Sequence, residues 1–485
     1  LSLLGYKRRI EATNTSGGLM RLSLPADSAK AVSENEDFFI GANRVDESLG
    51  EQLEYSALTD WFDAPNTIKV GVSGESYPLK EFFTFAVVNP ALSTPAGEPG
   101  GSESGDDRLE PYDLTKGGKP FLVDQSKTGN RISAYAQDQI AFKDWIVNAG
   151  LRFDMFSLFD DESAISPRLS AAYHASDDLW LRASYNRIVM QAPIENILVS
   201  SSDEAAQLVG SEQGGVPTRV SSEKEHVLEL GASYKLNDNI DLDLNTYAKF
   251  IEDFIVKVEL GVSGIIFPVN LKEGQVFGGD LEMRLHNWNN ISGKLSVGSC
   301  LSMGKKPEDG SNPIAAGLIL GEEGDRYAHP FGGEDIFPTE HNQLLTASFV
   351  FNYEHPCGFF ATLGGRFDSG LPFDLTDSAG NGVDATQARE ILKERGYSDD
   401  VIDLLSLEGE VENGKISPDK STAPHFVLDA GVGFDFQPDL KIPAKITATV
   451  MNVLDTKYLY KFESSFGGTH FGLPRMVVVG LQIKL

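Results

Sequence analysis

The side chains best suited to chemistry are scattered along this chain. Eight histidines stand at 174, 226, 286, 329, 341, 355, 425 and 470, with no HExxH and no pair at metal-ligand spacing. A histidine without such a partner reads as a surface or interfacial residue. Cys300 and Cys357 form no CxxC and read as small buried residues; a bridge between them cannot be argued from spacing. No GxSxG, Walker loop or dinucleotide fingerprint supplies a nucleophile or a phosphate cradle. Acidic clusters at Glu322-Glu323-Gly324-Asp325 and at Asp399, Asp400 and Asp403 offer oxygen ligands for calcium or magnesium. They lack EF-hand spacing and read as solvated surface. These residues predict no enzyme, no cofactor and no resident metal.

A second set of charges is more informative. Arg152, Asp154, Arg168, Arg182, Asp241, Asp243, Asp280, Glu282, Arg284, Arg366, Asp368, Asp429 and Asp435 lie in or at the ends of segments where every other residue is apolar. Leu228, Leu230, Ala232, Tyr234 and Leu236 alternate with polar or small residues, and after Asn237-Asp238-Asn239 the pattern resumes with Ile240, Leu242 and Leu244. Such alternation makes a strand with one apolar and one polar face. It recurs at Trp145 to Phe153, Phe277 to Leu285, Gln343 to Tyr353, Phe359 to Phe367, Phe426 to Phe436, Ala444 to Val450 and Val477 to Leu485. Strands of about ten residues, apolar outside and polar inside, are what crosses a bilayer as a closed barrel. A cation facing lipid at midplane costs ~2 to 4 kcal/mol, so the charged set must face the lumen. There it would meet a folded plug, a solute or water.

Connections point the same way. Short links (Phe142 to Asp144, His174 to Asp178, Leu236 to Asn239, His286 to Asn290, Glu354 to Cys357) separate long ones (Ala86 to Asn130, Val189 to Lys224, Ser302 to Glu340, Asp368 to Pro424). Short periplasmic turns and long extracellular loops have this layout. The pattern predicts about 15 strands from Asn66 onward and one to three among Leu1 to Ile10, Leu19 to Leu24 and Tyr55 to Phe62. An even total of 16 or 18 follows. The domains are thus 1–65, the least readable part, and 66–485, the barrel. Ala385 to Arg395 and Asp399 to Leu407 carry helical spacing, a helical insertion over 385–407. Trp61, Phe62, Phe156, Phe159, Trp288, Tyr458 and Tyr460 near strand ends predict aromatic girdles.

With 41 Lys and Arg against 71 Asp and Glu, the formal charge of −30 opposes nucleic-acid binding. No apolar run reaches the ~18 residues of a membrane-spanning helix.

Several segments resemble TonB-dependent outer-membrane receptors. Met451-Asn452-Val453-Leu454-Asp455-Thr456-Lys457-Tyr458 is similar to the family's Asn-Leu-x-Asp-x-x-Tyr signature, and Gly472-Leu473-Pro474-Arg475 to its Gly-x-Pro-Arg. Tyr135-Ala136-Gln137-Asp138, Asn148 to Asp154 and Ser166-Pro167-Arg168-Leu169 occur in the family's order. Lys461 to Phe471 and Asp368 to Pro372 resemble the subgroup with an N-terminal carboxypeptidase-regulatory-like domain. The resemblance implies a full barrel of 22 strands, with a plug domain and a TonB-contacting box upstream of Leu1. It also implies an outer-membrane protein that imports a scarce solute (a metal chelate, oligosaccharide or peptide). Its partners would be the TonB complex, its own plug, lipopolysaccharide and outer-membrane lipid. The final Leu485 departs from the terminal aromatic common in such barrels. The rival readings are a passive porin and a β-rich surface adhesin or carbohydrate-binding protein.

Overall fold

The computed structural model describes residues 2–14, 38–61, 64–94, 100, 107–194, 197–202, 204, 220–259, 266–305, 336–339, 342–375, 382–408, 411–412, 415–416, 419–436, 442–464 and 468–483. The first strands are β1 (Ser2–Asn14), β2 (Phe38–Trp61), β3 (Ala64–Val87), β4 (Phe121–Phe142), β5 (Trp145–Ser157), β6 (Asp161–Ser176) and β7 (Leu179–Met190). After the short helix α1 (Ile197–Ser200) come β8 (Glu223–Asn237), β9 (Ile240–Glu259), β10 (Ile266–Trp288), β11 (Ile291–Lys305), β12 (Ile336–Pro338), β13 (Thr346–Glu354) and β14 (Phe359–Asp368). A folded loop then holds β15 (Pro372–Asp374), α2 (Ala385–Glu394), α3 (Asp399–Ile402), β16 (Leu405–Ser406), β17 (Val411–Glu412), β18 (Lys415–Ile416) and β19 (Asp419–Thr422). The chain closes with β20 (His425–Asp435), β21 (Ala444–Met451), β22 (Leu459–Ser464), β23 (Gly468–Phe471) and β24 (Met476–Ile483).

One 17-stranded antiparallel sheet dominates. Each long strand pairs with the next from β1 to β11, then through β13, β14, β20 and β21 to β24. The three-residue β12 only extends the β11 ladder beside β13, so sixteen long strands build the barrel wall among the described residues. Fourteen of these run from Asn66 onward, in line with the about 15 that the alternation predicts, and the sixteen match the lower of the two even totals; β22 and β23 pair with each other in a separate hairpin. Within the first 65 residues the sheet has β1 and β2, while Leu19 to Leu24 lies outside the described residues.

Register carries the two-faced pattern around the wall. Opposed residues trace Leu181, Ala232, Leu244, Leu281, Val297, Ala347, Phe367 and Phe426 across eight strands. One residue along each strand lies the row Arg182, Gly231, Asn245, Asp280, Gly298, Thr346, Asp368 and His425. A period of two makes the first row lipid-facing and the second lumen-facing. The lipid side is bare: Leu244 is 45% and Val479 69% exposed.

Turns at one end are tight. Asn289 and Asn290 both take positive φ, the requirement of a two-residue turn matched to strand twist. The opposite end carries the long links, with two exceptions the sequence did not show. Leu158 to Asp160 suffices between β5 and β6, and 260–265 between β9 and β10. The predicted loop from Ala86 to Asn130 is also shorter, because β4 already pairs with β3 at Phe121. β2 and β3 reach 24 residues, more than twice the length needed to cross lipid.

The surplus length builds a core inside the outer mouth. Inner-face residues Tyr77, Leu79, Phe85, Phe121 and Val123 are buried beneath inward-folded loops. Phe83, Phe85, Tyr112 and Phe121 pack with ring centroids 5.1 to 6.4 Å apart. A second core joins the folded loop to the β22 and β23 hairpin through Leu375, Val383, Leu392, Ile402, Leu459 and Phe462. There α2 starts on a capping box between Asp384 and Gln387. The second helix stops at Ile402 rather than 407, because Leu405 and Ser406 join β19 as a strand.

Candidate functional site

The charged residues singled out in the sequence share one face of the sheet, and most form clusters on the wall itself. On β4 and β5, Arg152 meets both oxygens of Asp154 at 2.8 to 3.0 Å and donates to Ser133 Oγ at 2.9 Å. Ser133 in turn donates to Asp154 at 2.5 Å. Beside them the Tyr135 hydroxyl donates to Glu54 at 2.5 Å. Its ring fills the space above Gly71, where any Cβ would collide with it.

Across β7 to β10, Arg182 donates to Ser233 at 2.6 Å, Asp243 at 2.5 Å and Asn245 at 3.1 Å. Asn245 passes a bond on to Asp280 at 3.2 Å. Glu282 takes Arg284 at 2.5 Å and also Lys294, and Asp241 pairs with His286 at 2.7 Å. Adjacent strands bring these residues together because cross-strand neighbours share a face.

A fourth cluster ties the last loop to the wall. Arg366 donates to the Tyr458 hydroxyl at 2.9 Å, and Tyr458 to Tyr460 at 3.1 Å. His425 stacks on Tyr458 with centroids 4.3 Å apart and lies 3.4 Å from Asp368. Asp429 accepts the Asn452 N–H at 2.7 Å. Asn452 (φ 51°) donates from its side chain to the carbonyls of Thr456 and Leu473 and accepts from Thr456 N–H. The Asn-x-Leu-Asp segment is therefore a clasp that fixes how β21 leads into β24.

Of the thirteen charges named from the sequence, twelve have a partner of their own, and Arg168 is exposed without one among the described residues. Two expectations change. Phe156 and Tyr458 are not girdle residues, being buried at 6% and 3% exposure beneath inward-folded chain. Trp61, Trp288 and Tyr460 are exposed, Phe159 is half-buried under Lys127, and Phe62 lies outside the described residues. The cysteines are half-buried rather than buried, and the Cys357 thiol lies 3.0 Å from His355 Nδ1, a neighbour two residues away that the spacing reading missed.

The acidic cluster in the folded loop is also engaged. Arg389 reaches Asp399 and Asp403, and Lys393 reaches Asp399 at 2.9 Å, clamping α2 to α3. The Lys393 hydrogen bond, with Arg389, holds the Asp399 carboxyl below its ordinary range. Glu322 to Asp325 lies outside the described residues. Sequence reasoning missed Glu54 because its strand lies in the least readable part of the chain, and Glu81 because its partners, Leu198 and Val199, are more than a hundred residues away.

Residues 26–453 match the family model described as TonB dependent receptor-like, beta-barrel. Among solved structures, the chain is similar to the unliganded ferric citrate transporter FecA, with TM-score 0.56, 15% identity, and coverage of 92% of this chain and 55% of that one. It is similar to the outer membrane transporter YddB from Escherichia coli, with TM-score 0.57, 13% identity, and coverage of 91% and 54%. The siderophore receptor PirA from Acinetobacter baumannii gives TM-score 0.55, 15% identity, and coverage of 99% and 59%. The chain thus spans about half the length of these structures. No curated protein matches it.

Proposed function

We propose, from the premise that this chain belongs to the TonB-dependent receptor-like β-barrel family of the outer membrane, that it is the wall and outer loops of an energised importer. The solute, a metal chelate, oligosaccharide or peptide, is captured by the outer loops. Energy comes from the TonB complex through a region N-terminal to the barrel, together with the protein's own plug and, in this subgroup, a carboxypeptidase-regulatory-like domain. Residues 1–65 are the first strands and 66–485 the remaining barrel, with the helical insertion running from Ala385 to Ile402. Lipopolysaccharide and membrane lipid lie against the apolar face.

The family match over residues 26–453 carries this reading. On the inner wall Arg168 has a cationic head with no protein partner among the described residues, and it is the foremost contact for plug or solute. Uptake of the imported solute should disappear in cells lacking TonB and in cells making residues 1–485 alone. Uptake that survived loss of TonB would refute energised import and favour the porin.

A further inference from the structure

We propose that α1 is a standing constriction across the outer mouth, and that Glu81 is the positioning residue that holds it there and so limits the size of solute reaching the lumen. The inference rests on the importer reading but concerns a barrier within the barrel chain itself. α1 touches β3 and β4 and also β10. In the ladder β5 to β9 separate these strands, so a segment that meets both lies across the hollow of the sheet. Ile197, Leu198, Val199 and Ser200 are all at least 98% buried, and the first two pack with Tyr77 and Leu79 of β3.

Four residues cannot hold a helix unaided, since nucleation is unfavourable and short helices depend on tertiary anchors. The anchor is on β3. Glu81 is 2% exposed, and one carboxylate oxygen accepts Leu198 N–H at 3.0 Å and Val199 N–H at 3.1 Å. A carboxylate at the start of a helix satisfies N–H groups that have no partner within it. The approach to α1 is tied as well, by the Gln191 amide donating to the Tyr77 hydroxyl. Where the chain rejoins the wall, Ser222 N–H donates to Glu162 and Ser221 N–H to Asn270. Removing Glu81 leaves two buried N–H groups without a charged acceptor and frees the segment to leave the mouth.

The protein contains its own reporter. Cys300, on β11, pairs with Gly278 of β10, eight residues nearer the tight-turn end than Asn270, which opposes Ile255 of the core beside α1. In the full receptor on intact cells, with Cys357 and any cysteine outside residues 1–485 replaced by serine so that Cys300 alone reports, a small membrane-impermeant maleimide and a large polyethylene-glycol maleimide are compared. Wild-type α1 should admit the small reagent and exclude the large one. Glu81→Ala should raise labelling by the large reagent about ten- to a hundredfold. Leu198→Asp, which expels α1 while leaving Glu81 intact, should do the same and serves if the first variant folds poorly. Equal labelling by both reagents in the wild type overturns the proposal. So does a large-reagent rate unchanged in either folded variant, or no labelling by either reagent throughout. Labelling needs neither TonB nor the solute, so its failure is distinct from failure of the uptake test.

Discussion

Replacing Leu244 by Arg and Asp243 by Asn tests the two faces at adjacent residues of one strand. Leu244 is 45% exposed in the apolar row, with Ala232 and Leu281 opposite it. An arginine on the lipid face costs ~2 to 4 kcal/mol near midplane. Asp243 accepts from Arg182 at 2.5 Å and from Ser233 at 3.0 Å. Its side chain is 27% exposed and that of Arg182 40%, so solvent screens the pair, and asparagine keeps one acceptor oxygen. Losing the charge there should cost about 1 kcal/mol. The gap of about 2 kcal/mol is roughly a thirtyfold difference in folding constant. Folding of purified protein into phospholipid vesicles at graded urea, read as the fraction with heat-modifiable gel mobility, measures it. Equal losses, or a larger loss for Asp243→Asn, would refute the assignment of faces.

Three further outcomes are expected. Epitope tags in the 369–424 loop should be reachable by antibody on intact cells, and tags between Asp238 and Asn239 should not; the reverse would invert the barrel. Asn452→Ala removes three hydrogen bonds from a residue held at φ 51° and should lower stability by about 3 kcal/mol, read as a fall in the urea midpoint; an unchanged midpoint would deny the clasp. Because the Asp399 carboxyl is held low, its clamp is complete above the ordinary carboxylate range and is lost as pH falls through the lowered value. Protection of the backbone amides over Ala385 to Ile402, measured as exchange relative to the intrinsic rate at each pH, should therefore fall in acid, and protection indifferent to pH would remove Asp399 from that role.

Membrane-crossing strands are legible because lipid enforces a strict period: one misplaced charge such as Arg at Leu244 is expensive, so the alternation survives undiluted. Above the membrane that rule lapses. Tyr77, Leu79 and Phe85 are apolar on the inner face because α1 and neighbouring loops cover them, and nothing local in β3 distinguishes a covered inner face from a lipid-facing one. Tyr458 misled for a related reason. An aromatic near a strand end fits a girdle, and only the fold shows that it stacks on His425 inside the barrel. The inner charges were legible as a set, but not as pairs. Arg182 and Asp243 are 61 residues apart and become neighbours only through the registers of β7, β8 and β9.

Those wall pairs bear on how anything seated in the barrel can move. Separating a buried ion pair leaves an uncompensated charge and costs about 3 to 5 kcal/mol each time. A lumen whose ions were shared between wall and contents would resist motion like a ratchet, step by step. Arg152 closes on Asp154, Arg182 on Asp243, and Arg284 and Lys294 on Glu282, all within the wall. These three clusters are closed circuits, so nothing sliding past them has an ion pair of theirs to break.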